Sequence, residues 1–224
     1  MTELAIYDMD RTITRVATYT PFLLHSVRRR APWRLVLVPV VLLSMLAYAC
    51  KLIDRGRLKE INHALLLGRH NRPEELALVA GSFADETMRT NILPGALRQI
   101  AEDRAAGRRL VMATASYRLY AGTIAERLGF DDVIATNSVA GLDGRIRAKI
   151  DGENSYGPAK LRMIEAWMAA ERLVRAECRI RFYSDHASDS PVFDWCDTPV
   201  AANPSARLRA MAAEKGWPVV DWTR

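Results

Sequence analysis

The chain has 224 residues, of which 50% are apolar and 26% are charged. This composition excludes a collagen-like or extensively disordered chain, and three widely spaced cysteines exclude a small disulfide-stapled fold and favour a reducing compartment. The formal net charge is +6, with 32 Lys and Arg against 26 Asp and Glu. The length suits one large domain, or a core that carries one inserted subdomain.

Short apolar runs that end at polar residues predict the strands of a buried sheet. The first run covers residues 4–7, and the others cover 109–113, 133–135, 180–184, 199–201 and 219–220. Stretches with helical periodicity lie between them, at residues 96–106, 119–128, 160–174 and 206–215. Strands that alternate with helices predict an α/β fold, namely a doubly wound, Rossmann-like parallel sheet covered by helices on both faces.

Residues 15–94 interrupt this alternation, because they show helical patterns and no convincing strand. We expect helices over about residues 20–30, 33–52, 58–67 and 73–88, the first of them opened by Thr20 and Pro21. The chain is therefore expected to consist of a core, residues 1–14 and 95–224, and an inserted all-helical cap, residues 15–94.

Polar side chains follow several of the predicted strands. Asp8 and Asp10 come directly after the first strand, Thr114 ends the second, and Asp185 ends a later one. Open parallel sheets bind ligands at the carboxyl ends of their strands, so these side chains are expected to lie near one another. Two carboxylates spaced in this way often only cap a helix, and the site is indicated by their joint occurrence with the other strand-end residues.

Four features resemble, in order, the motifs of haloacid dehalogenase-superfamily phosphatases. They are the D-x-D-x-T segment that begins at Asp8, the strand that ends at Thr114, the lysine Lys160, and the S-D-x-x-x-D segment from Ser184 to Asp189. The resemblance covers the whole chain. The helical insertion directly after the first motif, and the Pro-Gly pair at residues 94–95, resemble the phosphoserine phosphatase-like branch.

The resemblance implies a Mg²⁺-dependent phosphatase that works through an aspartyl-phosphate. Asp8 would be the nucleophile, and Asp10 would protonate the leaving oxygen and then activate water. Magnesium prefers oxygen ligands, which Asp8, the backbone carbonyl of Asp10, and Asp185 would supply.

The remaining motif residues would bind the phosphate or support the residues that do. Thr114 and Lys160 would contact the phosphoryl oxygens, and Asp189 would orient Lys160 or a metal-bound water. Taken singly, Lys160 is better explained as a solvated lysine and Asp189 as a helix cap, and their occurrence together with Asp8 and Asp10 favours the functional roles. Ser116 is either a second phosphate donor or the cap of the following helix, and the cap is favoured.

The insertion contains sixteen consecutive uncharged residues, 35–50, that are apolar on all sides of a helix. Such a helix is either buried or in contact with lipid. Its length of about 24 Å is less than the hydrocarbon core of roughly 30 Å. A single complete crossing would also separate Asp8 from Thr114, so we expect a docking segment, residues 33–52, that lies in the membrane interface or returns to the same face.

Basic residues flank this segment, and between residues 28 and 59 only one acidic residue accompanies them. Each basic residue near an anionic membrane contributes about 1 kcal/mol, so the flanks predict a membrane-docking surface. A buried helix under a solvated basic face is an alternative, and nucleic acid is disfavoured because few aromatic residues lie among the arginines. The flanking residues are Arg28, Arg29, Arg30 and Arg34 before the segment, and Lys51, Arg55, Arg57 and Lys59 after it.

The insertion also bears on substrate and location. Phosphoserine phosphatases carry a glutamate nine residues after the nucleophile that binds the substrate ammonium, and Ala17 occupies this position here. An apolar cap with a basic rim resembles phosphatidylglycerophosphatase C-type enzymes, which implies a phospholipid phosphomonoester such as phosphatidylglycerophosphate at the inner membrane face. Residues 1–4 run directly into a predicted strand without a basic leader, so a cytoplasmic location is expected. A soluble small-metabolite phosphatase, a phosphotransferase and a catalytically silent membrane-binding module remain alternatives.

Overall fold

The computed structural model of the protein describes residues 1–223, and these contain one mixed sheet of eight strands. The predicted core range ends at residue 224, which lies outside the described residues. In chain order the strands are β1 Thr2–Tyr7, β2 His70–Asn71, β3 Arg109–Tyr117, β4 Asp132–Ala140, β5 Ile146–Asp151, β6 Cys178–Ser184, β7 Thr198–Ala202 and β8 Val219–Val220. Across the sheet their order is β2-β5-β4-β3-β1-β6-β7-β8. The strands from β4 to β8 in that order are parallel, and β5 and β2 are antiparallel additions at one edge.

Helices of the core cover both faces of the sheet, and further helices form the insertion. They are α1 Tyr19–Arg30, α2 Val38–Ala49, α3 Arg55–Leu66, α4 Pro73–Thr90, α5 Pro94–Ala105, α6 Arg118–Leu128, α7 Pro158–Ala170, α8 Ser190–Trp195 and α9 Ala206–Lys215. Alternate residues of β1 join two separate cores, because side chains on a strand point to opposite faces in turn. Ala5 and Tyr7 pack in the core that includes α4, α5 and α6, and Leu4 and Ile6 pack in the core that includes α7 and α9. The predicted α/β, doubly wound fold is confirmed.

The insertion between β1 and α5 is helical, but the prediction that it contains no strand is wrong. His70 and Asn71 form β2, which pairs antiparallel with β5, and Thr14 forms an isolated bridge with Ile92. A two-residue strand is too short to show an alternating pattern of apolar and polar residues, so its sequence carries no signal for it. The first helix also begins earlier than expected, at Tyr19 after the cap residue Thr18.

The apolar segment of the insertion consists of two elements rather than the single predicted helix over residues 33–52. A 3₁₀ helix, Pro32–Leu37, leads directly into α2. Pro39 lies in the first turn of α2, where its missing N–H costs no helical hydrogen bond, so it starts this helix rather than kinking a longer one.

Helix α2 is exposed along almost its entire length. Among its residues only Ser44 is buried, and Leu42, Leu43 and Leu46 are each more than half exposed. Within residues 1–223 one helical stretch, Pro32–Ala49, has the length and apolar composition of a membrane-crossing helix, and 6% of it is buried. One stretch of this kind is weak evidence for a membrane span. The alternative of a helix buried inside this chain is wrong.

The basic residues around this segment do not form one uniform surface. Arg28, Arg29 and Lys51 are exposed, as a docking surface requires. Arg30 is half-buried in an ion pair with Glu75, and Arg34 donates to backbone carbonyls at the end of α3. Two others, described below, lie at or next to the candidate active site. The predicted basic rim is therefore smaller than the sequence indicates.

Candidate active site

The carboxyl ends of β1, β3 and β6 bring the motif residues into one pocket of about 250 Å³. Strand β1 lies between β3 and β6, so the residues that follow these three strands are neighbours in space. The pocket is lined by Asp8, Asp10, Thr114, Lys160, Asp185 and Asp189, among others. Six side chains from four separate parts of the sequence are thus gathered where the strand order predicts a ligand site.

Lys160 lies in the first turn of α7 and is almost fully buried. Its Nζ donates to Asp8 Oδ1 at 2.8 Å and to Asp189 Oδ2 at 2.6 Å. Ser184 Oγ also donates to Asp189 Oδ2, at 2.7 Å. The alternatives of a solvated lysine for Lys160 and a side-chain helix cap for Asp189 are therefore wrong, since Asp189 makes no cap hydrogen bond to α8.

Buried negative charge exceeds buried positive charge around this lysine. Burial raises the pKa of Asp8 to about 8; Lys160 opposes the shift, and Asp189 and Asp185 add to it. Burial likewise raises the pKa of Asp185 to about 6. Burial disfavours the charged form of Lys160, but Asp189 and Asp8 outweigh it and hold its pKa above the usual value. Three buried carboxylates, Asp8, Asp185 and Asp189, around one buried lysine suit an additional cation.

The donor atoms of this pocket fit Mg²⁺. Asp8, Asp185 and the backbone carbonyl of Asp10 offer the oxygen ligands that Mg²⁺ prefers. Asp189 Oδ1 is buried and has no hydrogen-bond partner within residues 1–223, so it can accept from a water on such an ion. No cluster of three His, Cys, Asp or Glu side chains that could hold a metal occurs in the described part of the chain.

The carboxylate of Asp10 is held from both sides. Its Oδ1 accepts from the backbone N–H and the hydroxyl of Thr18, each at 2.7 Å. Its Oδ2 accepts from Ser116 Oγ at 2.8 Å, and Tyr120 donates to Ser116 at 2.7 Å. These contacts fix the direction of a carboxylate that sequence reasoning assigns to proton transfer.

The position of Ser116 differs from the helix-cap position that the sequence favours. Strand β3 continues to Tyr117, so α6 begins at Arg118 with Tyr117 as its N-cap residue. The prediction that Ser116 caps this helix is therefore wrong. Ser116 is also absent from the residues that line the pocket, and its hydroxyl supports Asp10 instead.

Thr114 is fully buried in β3, directly before a register shift in its parallel pairing with β4, and lines the pocket. Its Oγ1 accepts from the backbone N–H of Ser116 at 3.1 Å. A hydroxyl group can accept one hydrogen bond and donate another, so the Thr114 hydroxyl proton is available for a phosphoryl oxygen.

The pocket is also lined by residues that sequence reasoning did not place there, among them Arg11, Arg55 and Tyr156. Arg11 follows Asp10, with φ of 61°. Arg55 comes from α3 of the insertion, and its guanidinium lies 4.1 Å from the ring centre of Tyr156. Arg55, which the sequence places among the docking residues, is exposed and lines this pocket, and its contact with a membrane stays a prediction. Tyr156 could have been found from its place in the segment just before Lys160, whereas nothing in the sequence links Arg55 to the pocket.

Lys59, which the sequence also places among the docking residues, is buried between the insertion and the core. Its Nζ donates to the carbonyl of Ala115 and, at 2.6 Å, to Asn154 Oδ1. Burial lowers its pKa to about 7; Arg55 adds to this shift and Asp10 opposes it. Lys59 thus ties α3 to the backbone directly after Thr114.

The variant Lys59→Met should change how stability depends on pH. Folding lowers the pKa of Lys59, so between about pH 7 and 10 the unfolded chain binds more protons at this site than the folded chain. Rising pH therefore favours the folded state of the wild type, and the variant lacks this contribution. Urea unfolding from pH 7 to 9.5 should show the wild type gaining stability relative to Lys59→Met. The exposed Lys149→Met is the control, and a pH-independent difference for Lys59→Met would contradict the assignment.

The variant Lys160→Met should lose about 3–5 kcal/mol of unfolding free energy, because it leaves Asp8 and Asp189 buried without their cation. Lys215→Met is a matched control, since Lys215 pairs with Asp194 at the surface. We expect the control to change stability by less than about 1 kcal/mol. Urea unfolding of both variants in the absence of Mg²⁺ measures these free energies. Equal losses of stability in the two variants would show that the buried ion pairs of Lys160 stabilise the fold no more than the surface pair does.

Comparison with known proteins places the chain in a family. Residues 5–194 match the family described as haloacid dehalogenase-like hydrolase. The chain belongs to this family. The resemblance inferred from the motifs is thereby confirmed, and the relatives of this haloacid dehalogenase-like hydrolase include phosphoserine phosphatases. The narrower likeness to phosphatidylglycerophosphatases stays a prediction.

Individual relatives illustrate this placement. The chain is 28% identical over 161 residues to a histidinol-phosphatase of Neisseria meningitidis, covering 71% of this chain and 72% of that one. It is 31% identical over 148 residues to phosphoserine phosphatase SerB1 of Mycobacterium tuberculosis, covering 66% of this chain and 47% of that one. A Bordetella pertussis protein of unknown function has a TM-score of 0.89 at 27% identity, with 99% of each chain covered. The chain spans about half the length of most curated relatives that it matches.

Proposed function

We propose that the chain is a Mg²⁺-dependent phosphomonoester hydrolase that works through an aspartyl-phosphate at Asp8. The observation that carries the proposal is the contact of Lys160 with Asp8 in a pocket that also contains Asp10 and Asp185. Relatives named as phosphatases support the same class of reaction.

In the first step a carboxylate oxygen of Asp8 attacks phosphorus, and the bond between phosphorus and the leaving oxygen breaks. Asp8 and the substrate are both anionic, so their repulsion must be reduced. Lys160 supplies a fixed positive charge, Thr114 donates to a phosphoryl oxygen, and Mg²⁺, when bound, neutralises further oxygen charge. Asp10 gives its proton to the leaving alcohol oxygen.

In the second step a water attacks the phosphorus of the aspartyl-phosphate. Asp10, now a carboxylate, takes the proton from that water, and the bond between Asp8 and phosphorus breaks to release inorganic phosphate. The hydrogen bonds from Thr18 and Ser116 keep Asp10 in one orientation for both proton transfers. One residue can thus act as acid and then as base.

For the substrate, we propose a phospholipid phosphomonoester, such as phosphatidylglycerophosphate, bound by a peripheral protein at the cytoplasmic face of the membrane. The exposed apolar surface of α2 supports a position in the membrane interface, and the exposed residues Arg28, Arg29 and Lys51 support attraction to anionic lipid. Ala17 lines the pocket and offers no charge for a substrate ammonium. The names of the relatives favour a second candidate, a soluble phosphatase for small metabolites.

A phosphate-release screen tests both parts of this proposal. Phosphatidylglycerophosphate and phosphatidic acid in detergent micelles are compared with phosphoserine and histidinol phosphate, with Mg²⁺ and with EDTA. We expect Mg²⁺-dependent release that is at least about tenfold faster for the lipid substrates. Rapid release of phosphate from phosphoserine alone would be consistent with a hydrolase but would contradict the proposed lipid substrate. No release from any of these substrates would contradict the hydrolase itself.

A further inference from the structure

A second cleft, of about 920 Å³, lies against the helices of the insertion and shares no lining residue with the pocket around Asp8. Its charge is strongly one-sided, because Glu75 is the one acidic residue among its lining residues within the described chain. Five arginines from three separate parts of the sequence line it: Arg29, Arg30, Arg34, Arg69 and Arg145. Such a concentration of guanidinium groups favours an anionic ligand.

Two of these arginines are held in place by the chain. Arg30 donates from Nη1 to Asn71 Oδ1 at 2.9 Å and from Nη2 to Glu75 Oε2 at 2.7 Å. Arg34 donates from Nη1 to the carbonyls of Ala64 and Leu65, at 3.2 and 2.8 Å. A ligand therefore meets fixed positive charges and does not have to order these two side chains.

The other three arginines keep their donors available. Arg29, Arg69 and Arg145 are exposed, and their guanidinium groups make no hydrogen bond or ion pair with the residues that the structure describes. Arg30 Nε is buried and likewise has no hydrogen-bond partner within residues 1–223. A guanidinium binds phosphate oxygens in pairs, so the unused donors match a phosphate group.

The cleft also adjoins the exposed apolar segment. Trp33 lines the cleft, is 64% exposed, and lies with its ring centre 4.9 Å from the guanidinium carbon of Arg34. It belongs to the 3₁₀ helix that leads into α2, where Val36 is 72% exposed. Tryptophan and arginine side by side are typical of the headgroup level of a bilayer, where apolar neighbours contact the acyl chains. This continuity favours a lipid over a free phosphate ion.

We propose that this cleft binds the phosphate group of an anionic phospholipid while the apolar segment contacts the acyl chains. The inference rests on the proposed membrane association of the chain. A lipid held here is not the substrate, because the cleft and the catalytic pocket are separate. It would instead anchor the insertion on the membrane surface.

Vesicle binding with a double variant tests this. Wild-type protein is sedimented with vesicles of phosphatidylglycerol and phosphatidylcholine, and with vesicles of phosphatidylcholine alone. Arg69→Gln/Arg145→Gln should weaken binding to the anionic vesicles by roughly 30-fold, since each basic residue contributes about 1 kcal/mol. Arg207→Gln/Arg209→Gln removes the same charge from exposed positions on α9 and should change binding by less than about twofold. Release of phosphate from a soluble phosphomonoester should be unchanged in both variants.

A charge-preserving variant separates a phosphate site from general attraction. Arg69→Lys/Arg145→Lys keeps both charges but cannot bind phosphate oxygens in pairs, so its binding should stay at least about fivefold weaker than that of the wild type. Equal losses in the two Gln variants, full recovery in the Lys variant, or equally tight binding to phosphatidylcholine alone would overturn the inference. If the substitutions at Arg69 and Arg145 weakened the binding of inorganic phosphate but not of vesicles, the inference of a lipid site would also be overturned.

Failure of this inference is distinguishable from failure of the proposed function. Phosphatidylglycerol carries no phosphomonoester, so binding to it does not depend on hydrolysis. If the protein hydrolyses lipid phosphomonoesters but Arg69→Gln/Arg145→Gln binds vesicles as tightly as the wild type, lipid binding by the cleft is contradicted and the hydrolase is not. Cleft-dependent binding without release of phosphate from any phosphomonoester would contradict the hydrolase alone.

Discussion

Replacement of Asp8 by asparagine is expected to lower Mg²⁺-dependent phosphate release by about 10⁴-fold or more. The amide oxygen of asparagine is a poor nucleophile, so the first step loses its attacking group. The side chain keeps its shape and an oxygen that can accept from Lys160, so the variant should fold. Initial rates at saturating substrate and Mg²⁺ measure the effect.

A matched variant controls for the loss of a carboxylate. Asp194 lies on α8 and pairs with Lys215 at the surface. Asp194→Asn should leave the rate of phosphate release unchanged. Thermal unfolding of both variants checks that they are folded. If folded Asp8→Asn kept more than about 1% of the wild-type rate, another group would have to be the nucleophile.

The second large effect is expected at Asp10. Asp10→Asn should lower the rate by about 10²- to 10⁴-fold for alkyl phosphates, because the leaving alkoxide is no longer protonated. An aryl phosphate such as p-nitrophenyl phosphate needs less help, since its leaving group is already a weak base. The first step should therefore lose much less rate with the aryl substrate than with glycerol phosphate.

Single-turnover kinetics isolate this first step, since Asp10 also serves in the second. The rate of release of the alcohol is compared for the two substrates in wild type and Asp10→Asn. Because Thr18 and Ser116 still surround residue 10, a general collapse of the site is not expected. Equal losses for both substrates would show that Asp10 acts on something other than the leaving group.

The sheet and most of the motif residues could be predicted because their signals are local. Strand β1 contains a continuous apolar run, residues 4–7, directly before Asp8, as a strand buried on both faces requires. Strand β6 also ends directly before an aspartate, Asp185, although Arg179 and Arg181 interrupt its apolar residues, and the carboxyl ends of neighbouring parallel strands necessarily meet. Lys160 lacks such a signal on its own, and only its order relative to the other motifs suggested its position.

The surroundings of the site could not be predicted because they depend on how the insertion packs on the core. Lys59 lies on a short helix among other basic residues, a pattern that is typical of a solvated surface. Its burial follows from acceptors that are 56 and 95 residues away in sequence, Ala115 and Asn154. For Ser116, the cap prediction failed because β3 is longer than its apolar run indicates.

The central claim is that phosphate passes through a covalent bond to Asp8, and trapping that bond tests it most directly. The protein is mixed with a ³²P-labelled phosphomonoester and Mg²⁺, quenched in acid within milliseconds, and digested. We expect label on the peptide that contains residue 8, no label with Asp8→Asn, and homoserine at position 8 after borohydride reduction. Rapid release of phosphate with no label on this peptide at any time would contradict the account.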